Sequence, residues 1–185
     1  MSKYLRTPQR KLDPLSRIFT LGEITNESAN EILGLIHEVN REDSAKLPEN
    51  KVPIKLIINS PGGSVYDGMA VIDAIETSLT PVHTYVYGHA MSMAFAIASC
   101  GHYRYASKRA TFMYHEMSWG TEREKMKYHE QEVKEGKRFW KLYDSVVVSH
   151  SKIKLLSLEA VRKESKEWYI TPDQALKLGL LDEII

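Results

Sequence analysis

The chain has 185 residues, 43% of them hydrophobic and 26% charged, a balance that suits one globular domain with a sizeable core and excludes intrinsic disorder. A formal net charge of +1 offers no electrostatic footprint for nucleic acid or an anionic membrane. The single cysteine, Cys100, excludes a disulfide within the chain. With no apolar signal core after Met1 and no run of spanning length, it points to a reducing, cytoplasmic setting.

Residues 1–15 are basic, contain Pro8 and Pro14, and read as a flexible arm ahead of a domain over 16–185. Residues 17–21 form a short strand. Thr25 is placed to cap a helix whose Ala29, Ile32, Leu33, Ile36 and Val39 recur at helical spacing. Residues 43–53 read as a polar loop. The apolar run 54–58 predicts a central strand covered on both faces, closed by Asn59-Ser60-Pro61-Gly62-Gly63-Ser64. A helix carrying Val65, Met69, Ile72 and Ile75 follows, then a strand over 82–87 and an apolar helix over 94–98. This strand–helix alternation predicts an α/β fold with parallel strands.

Short strands over 103–106 and 110–114 lead to His115. The proline-free segment 122–149 predicts a long helix with a narrow stripe: Met126, His129, Val133, Gly136, Trp140, Tyr143 and Val147. Its polar remainder predicts a helix that projects from the globule and docks on another subunit. A shorter helix over 157–163 and an extended segment over 167–170 come next. Thr171-Pro172-Asp173-Gln174 is a capping box with proline at the first helical position, and Gly179 ends that helix.

Ser92, in Gly88-His89-Ala90-Met91-Ser92-Met93, falls where a buried strand turns into a buried helix. Its hydroxyl can cap the helix. It can instead serve as a nucleophile beside the free N–H groups of the first turn. The glycine pair at Gly62-Gly63 ends a parallel strand, where α/β proteins place their sites. His115 is the candidate base, with His89 as rival. Glu164, Glu167 and Asp173 are the candidates to orient the base, and pattern alone does not choose between Glu164 and Glu167. No His-x-x-x-His pair or His/Asp cluster occurs, so neither a metal nor a cofactor is expected.

Four stretches together resemble the proteolytic subunit of the Clp protease family. They are Ile57 through Val65, Gly88 through Met93, Phe112-Met113-Tyr114-His115, and Ile170-Thr171-Pro172-Asp173-Gln174-Ala175 on to Gly179-Leu180-Leu181-Asp182-Glu183-Ile184. The resemblance runs from Arg17 to the C-terminus. It implies a crotonase-like α/β fold of repeated ββα units, with residues 122–149 as a projecting handle. It implies a serine endopeptidase with Ser92 as nucleophile, His115 as base, and the Gly63 and Met93 N–H groups as oxyanion hole. It further implies a homo-oligomer of one or two seven-membered rings that encloses unfolded protein or peptide substrates and is fed by a AAA+ unfoldase.

Four departures stand out. Glu167 occupies the position of the family's third triad residue, normally Asp, and is one methylene longer. Glu116-Met117 replaces the usual Gln-Pro after the histidine, and Gly120 stands alone in the loop before the handle. Lys55 and Ile57 replace aromatic residues of the unfoldase pocket. The N-terminal arm departs from the family's axial-pore segment. These departures fit a divergent, phage- or prophage-type branch. They leave three other readings: an inactive scaffold subunit of a mixed ring, a capsid-maturation peptidase and a crotonase-type acyl-CoA enzyme.

Overall fold

The computed structural model describes residues 17–116 and 126–185, with side chains of the long helix from Glu130 onward. The arm over 1–15, the segment 117–125 with Met117 and Gly120, and the side chains of Met126 and His129 lie outside the described residues.

Thr25 starts the first helix, α1 (Asn26–Glu42), through a capping box. Its side chain accepts from the Ser28 N–H, and the Ser28 hydroxyl returns to the Thr25 N–H. Ala29, Ile32, Ile36 and Val39 form the buried face, and each such side chain contributes about 1.5–3 kcal/mol or less by size. Strands β1 (Ile18–Leu21), β2 (Ile54–Ser60) and β3 (Val82–Met91) pair in parallel. Helix α2 (Val65–Glu76) returns the chain from β2 to β3, and α3 (Met93–Ser99) follows β3 directly. Strands β4 (Tyr103–Ala106) and β7 (Glu183–Ile184) extend the parallel order to β1-β2-β3-β4-β7.

Two expectations for the sheet need correction. The run 54–58 is not covered on both faces: Ile54, Leu56 and Ile58 are buried, whereas Lys55 and Ile57 are half-buried. Their face meets Tyr85, whose ring lies 4.2 Å from the Lys55 ammonium. The strand expected over 82–87 continues to Met91. It passes Gly88, whose φ of 87° accommodates a register shift between Ile58 and Ser60 on β2.

Beyond that shift β3 changes neighbour. Residues His83 to Val86 pair with β4, and His89 to Met91 pair with β5 (Thr111–Tyr114). Strand β6 (Trp168–Ile170) then joins β5 antiparallel, the one departure from the parallel order among the described strands. Helices α4 (Met126–Ser149), α5 (Leu155–Lys163) and α6 (Pro172–Lys177) complete the chain, α6 with the expected Thr171–Gln174 capping box.

On α4 the buried face runs through Gly136, Phe139, Tyr143 and Val147. Of the expected stripe, Trp140 is half-buried and Val133 is 55% exposed. The contact face is thus rotated toward Phe139. The expected polar loop over 43–53 also begins with a fully buried carboxylate. Asp43 accepts two hydrogen bonds from Arg17 (2.7 and 2.8 Å) and one from the Thr80 hydroxyl (2.9 Å), tying β1 to the end of α1. The Arg17 hydrogen bonds hold its carboxyl well below the usual carboxylate range. No described helix is long and apolar enough to cross a membrane.

Candidate active site

Ser92 sits between β3 and α3 with φ 52° and ψ −128°. A non-glycine residue held there stores about 1–3 kcal/mol of backbone strain. Three hydrogen bonds fix it. Its N–H donates to the Met113 carbonyl (2.9 Å), and its own carbonyl accepts from the Phe95 N–H (2.9 Å) and the Tyr143 hydroxyl (2.9 Å).

Between the two roles open to this serine, the hydroxyl takes the second. It makes no capping hydrogen bond to α3. It lies 2.9 Å from His115 Nε2, at the distance of a nucleophile–base contact. β5 positions His115, because its pairing with β3 (Met91 opposite Met113) sets the histidine just past the serine's strand.

The glycine loop closes the other side. A Cβ at Gly62 would stand 2.7 Å from Ser92 Cβ and 3.2 Å from Met93 N, so this loop and the first turn of α3 share one space. Gly63 is pressed against β1's continuation. A Cβ there would meet the Ile24 carbonyl at 2.2 Å, and the flanking Ile24 N–H and Ser64 N–H bond to Gly62 O and Ile24 O (2.8 Å each). The Gly63 N–H has no acceptor among the described residues. Met93 opens α3, where the first N–H groups have no helical acceptor. Such a pair of donors beside a nucleophile is suited to a developing oxyanion.

Glu167 is exposed, and its carboxylate accepts from the Tyr169 hydroxyl at 2.6 Å; it makes no hydrogen bond to His115. The antiparallel pairs Phe112–Ile170, Met113–Tyr169 and Tyr114–Trp168, carried one step further, set Glu167 across from His115. Opposed residues of an antiparallel pair share one face. The rivals lie elsewhere. Glu164 pairs with Lys166, Asp173 is exposed in the first turn of α6, and the His89 backbone bonds to Asn59.

Sequence reasoning missed the supports of the site. Tyr143, expected only as packing, reaches the Ser92 carbonyl. Tyr114, adjacent to His115, donates to Asp144 (2.7 Å) and accepts from Arg162 (2.8 Å), while Arg162 also pairs with Asp144. Burial pushes both phenols above their usual range, so each acts as a neutral hydroxyl. A tyrosine on an apolar stripe was the available signal, since a buried hydroxyl requires a partner. Away from Ser92, the donor atoms of Glu76, Cys100 and His150 lie within 4.8 Å of one another. Spacing along the chain could not show that grouping.

A family model described as Clp protease matches residues 3–185. The ATP-dependent Clp protease proteolytic subunit of Deinococcus radiodurans is 29% identical over 171 residues, which is 91% of this chain and 79% of that protein. Proteolytic subunit 3 of Synechococcus sp. (strain CC9605) is 31% identical over 175 residues, 92% of this chain and 83% of that protein. The subunit of Mesostigma viride is 34% identical over 175 residues, 91% of this chain and 71% of that protein.

Proposed function

The chain belongs to the Clp protease family and is a serine-type endopeptidase, and on that premise we propose that it cleaves peptide bonds through Ser92, His115 and Glu167. Ser92 Oγ attacks the carbonyl carbon of the scissile bond. His115 Nε2 takes the hydroxyl proton and returns it to the departing amine. The Gly63 and Met93 N–H groups receive the oxyanion of the tetrahedral intermediate. Glu167, turned from Tyr169 toward the histidine across the strand pair, holds the imidazole and stabilises its charged form. The observation that carries the reading is the 2.9 Å contact to His115 made by a serine whose hydroxyl does not cap its own helix.

In the same reading residues 16–185 are one peptidase domain, residues 1–15 an arm and α4 the handle. The domain assembles into seven-membered rings around a chamber for unfolded protein or peptide chains. Support for assembly comes from a groove of about 640 Å³ between α4 and α5, lined by Trp140, Val148 and Leu155, and from Leu156, 75% exposed. Support for a docking unfoldase comes from the stacked Tyr85–Tyr105 pair with Tyr103 beside it, although Lys55 and Ile57 replace the usual aromatics.

A fluorophosphonate probe tests the nucleophile. Wild-type protein is expected to label and to hydrolyse unfolded substrate, and Ser92→Ala to do neither. Unchanged labelling of Ser92→Ala removes the assignment. Failure of the assembled wild type to label or cleave favours the scaffold-subunit reading, for which the Glu167–Tyr169 contact is the specific motive.

A further inference from the structure

Three helices end at one place on the side of the molecule away from the glycine loop. Glu76 is the last residue of α2, Cys100 is the residue that closes α3, and His150 follows the last residue of α4. The C-terminal end of a helix carries partial negative charge and unpaired carbonyls, so their convergence favours a cation. His150 Nε2 lies 2.7 Å from Glu76 Oε1, and Cys100 Sγ lies within 4.8 Å of both donors.

We propose that Glu76, Cys100 and His150 form a zinc site of three protein ligands and one water that joins the ends of α2, α3 and α4. One thiolate, one imidazole and one carboxylate are a donor set suited to tetrahedral Zn²⁺. Zinc–ligand bonds of about 2.0–2.3 Å place tetrahedral donors about 3.3–3.5 Å apart, so Glu76 Oε1 and His150 Nε2, now 2.7 Å apart, separate by side-chain rotation to take the ion between them. Cys100 is 4% exposed, whereas the side chains of Glu76 and His150 are 40% and 29% exposed. The sulfur is therefore buried, while the rim gives metal an entrance and a water room for the fourth position.

Binding breaks the S–H bond. The thiol proton leaves to solvent, the proton that Nε2 presents to Glu76 exchanges to Nδ1, and the thiolate, the freed Nε2 lone pair and a carboxylate oxygen each form a bond to the metal. The thiol now donates to the Ala96 carbonyl (3.1 Å), a hydrogen bond that ligation gives up. Arg104 already meets two of these helix ends, reaching the Ser99 carbonyl at 3.4 Å. It binds the carbonyls of His150 (2.5 Å) and Gly179 (2.8 Å), and Asp182 answers its charge at 2.7 and 2.9 Å.

Cobalt(II) titration of the full chain tests the site, because a cysteine ligand adds thiolate-to-metal charge-transfer absorption that histidine and carboxylate ligands do not. One Co²⁺ per chain is expected, with that band, displaced by Zn²⁺ and accompanied by a higher melting temperature. Cys100→Ser should lose the band. His150→Gln and Glu76→Gln, which alter solvent-facing side chains and keep the fold, should weaken binding by about tenfold or more. No binding, binding without the band, or a band of unchanged affinity in His150→Gln and Glu76→Gln overturns the proposal. None of these readouts depends on peptide hydrolysis, so the zinc site and the peptidase reading stand or fall separately.

Discussion

The hydroxyl of Tyr143, midway along α4, donates to the carbonyl of Ser92 at 2.9 Å, so the long helix holds the backbone of the nucleophile directly. Tyr143→Phe removes this bond and keeps the ring that stacks on Tyr114 at 5.4 Å. The Ser92 carbonyl keeps its bond from Phe95, so the stability loss should be about 1 kcal/mol. The nucleophile loses a positional restraint, and kcat is expected to fall roughly tenfold with KM little changed. Steady-state kinetics beside thermal melts separate the two effects.

Gly62 tests how tightly the loop and nucleophile fit. Its φ of 103° disfavours any side chain, and an added Cβ would stand 2.7 Å from Ser92 Cβ and 2.9 Å from the Met91 carbonyl. Gly62→Ala should therefore displace Ser92 from His115. We expect kcat/KM to drop about a hundredfold or more with a destabilisation of about 1–3 kcal/mol. A folded Gly62→Ala protein with wild-type turnover would show that the loop tolerates the displacement.

In the proposed triad, the Tyr169 hydroxyl, which now donates to Glu167 at 2.6 Å, competes with His115 for that carboxylate. If the carboxylate must leave Tyr169 to orient His115, Tyr169→Phe lowers the cost of that turn and should raise kcat a few-fold. Glu167→Gln should lower kcat by about 10²–10⁴, because an amide cannot stabilise the imidazolium. Glu167→Asp shortens the arm by one methylene and should retain more activity than Glu167→Gln. Equal kcat in wild type and Glu167→Gln would take Glu167 out of the mechanism.

Asp43 carries a prediction about acid. Its folded carboxyl is held below the unfolded value of about 3.9, chiefly by the Arg17 hydrogen bonds. Its contribution is therefore fully present above that value and disappears as pH falls through the lower, folded one. Asp43→Asn leaves buried Arg17 with only Glu42, at 3.5 Å, as counter-charge and should cost about 3 kcal/mol near pH 7. Urea midpoints of wild type and Asp43→Asn should converge as pH drops below about 3.9; a constant gap would assign the loss to packing alone.

The legible parts of this chain were those governed by local rules. Thr25 and Thr171 cap their helices as their neighbours require. Ile54, Leu56 and Ile58 lie in the core, and Ser92 and His115 meet, as a strand-end serine and a strand-end histidine can. Illegible were relationships between distant segments. Asp43 reads as a loop carboxylate until Arg17 and Thr80 are folded against it. The change of partner along β3 depends on a bulge opposite Asn59, and the antiparallel β5–β6 pairing on where residue 167 returns to the sheet. On α4 the expected stripe holds at Gly136, Tyr143 and Val147, but Phe139 rather than Trp140 takes the place between them, because two adjacent aromatics do not show from spacing which one faces inward. Glu76, Cys100 and His150 are 24 and 50 residues apart in turn, so no motif could join them.

The fork in β3 gives the site two mechanical owners. Ser92 is anchored to the main sheet through β3 and α3, whereas His115 and residue 167 ride on a ribbon of two short strands. That ribbon is joined to β3 through the pairs His89–Thr111, Ala90–Phe112 and Met91–Met113, to Ser92 itself through the Met113 carbonyl, and to the core through the buried rings of Phe112 and Tyr114. With so few strand pairs, side chains carry most of the attachment: Tyr114 bonds Asp144 and Arg162, and its ring stacks on Tyr143. The spacing between base and nucleophile is therefore set by Tyr114, the residue before His115, whose partners on α4 and α5 hold the ribbon against the core.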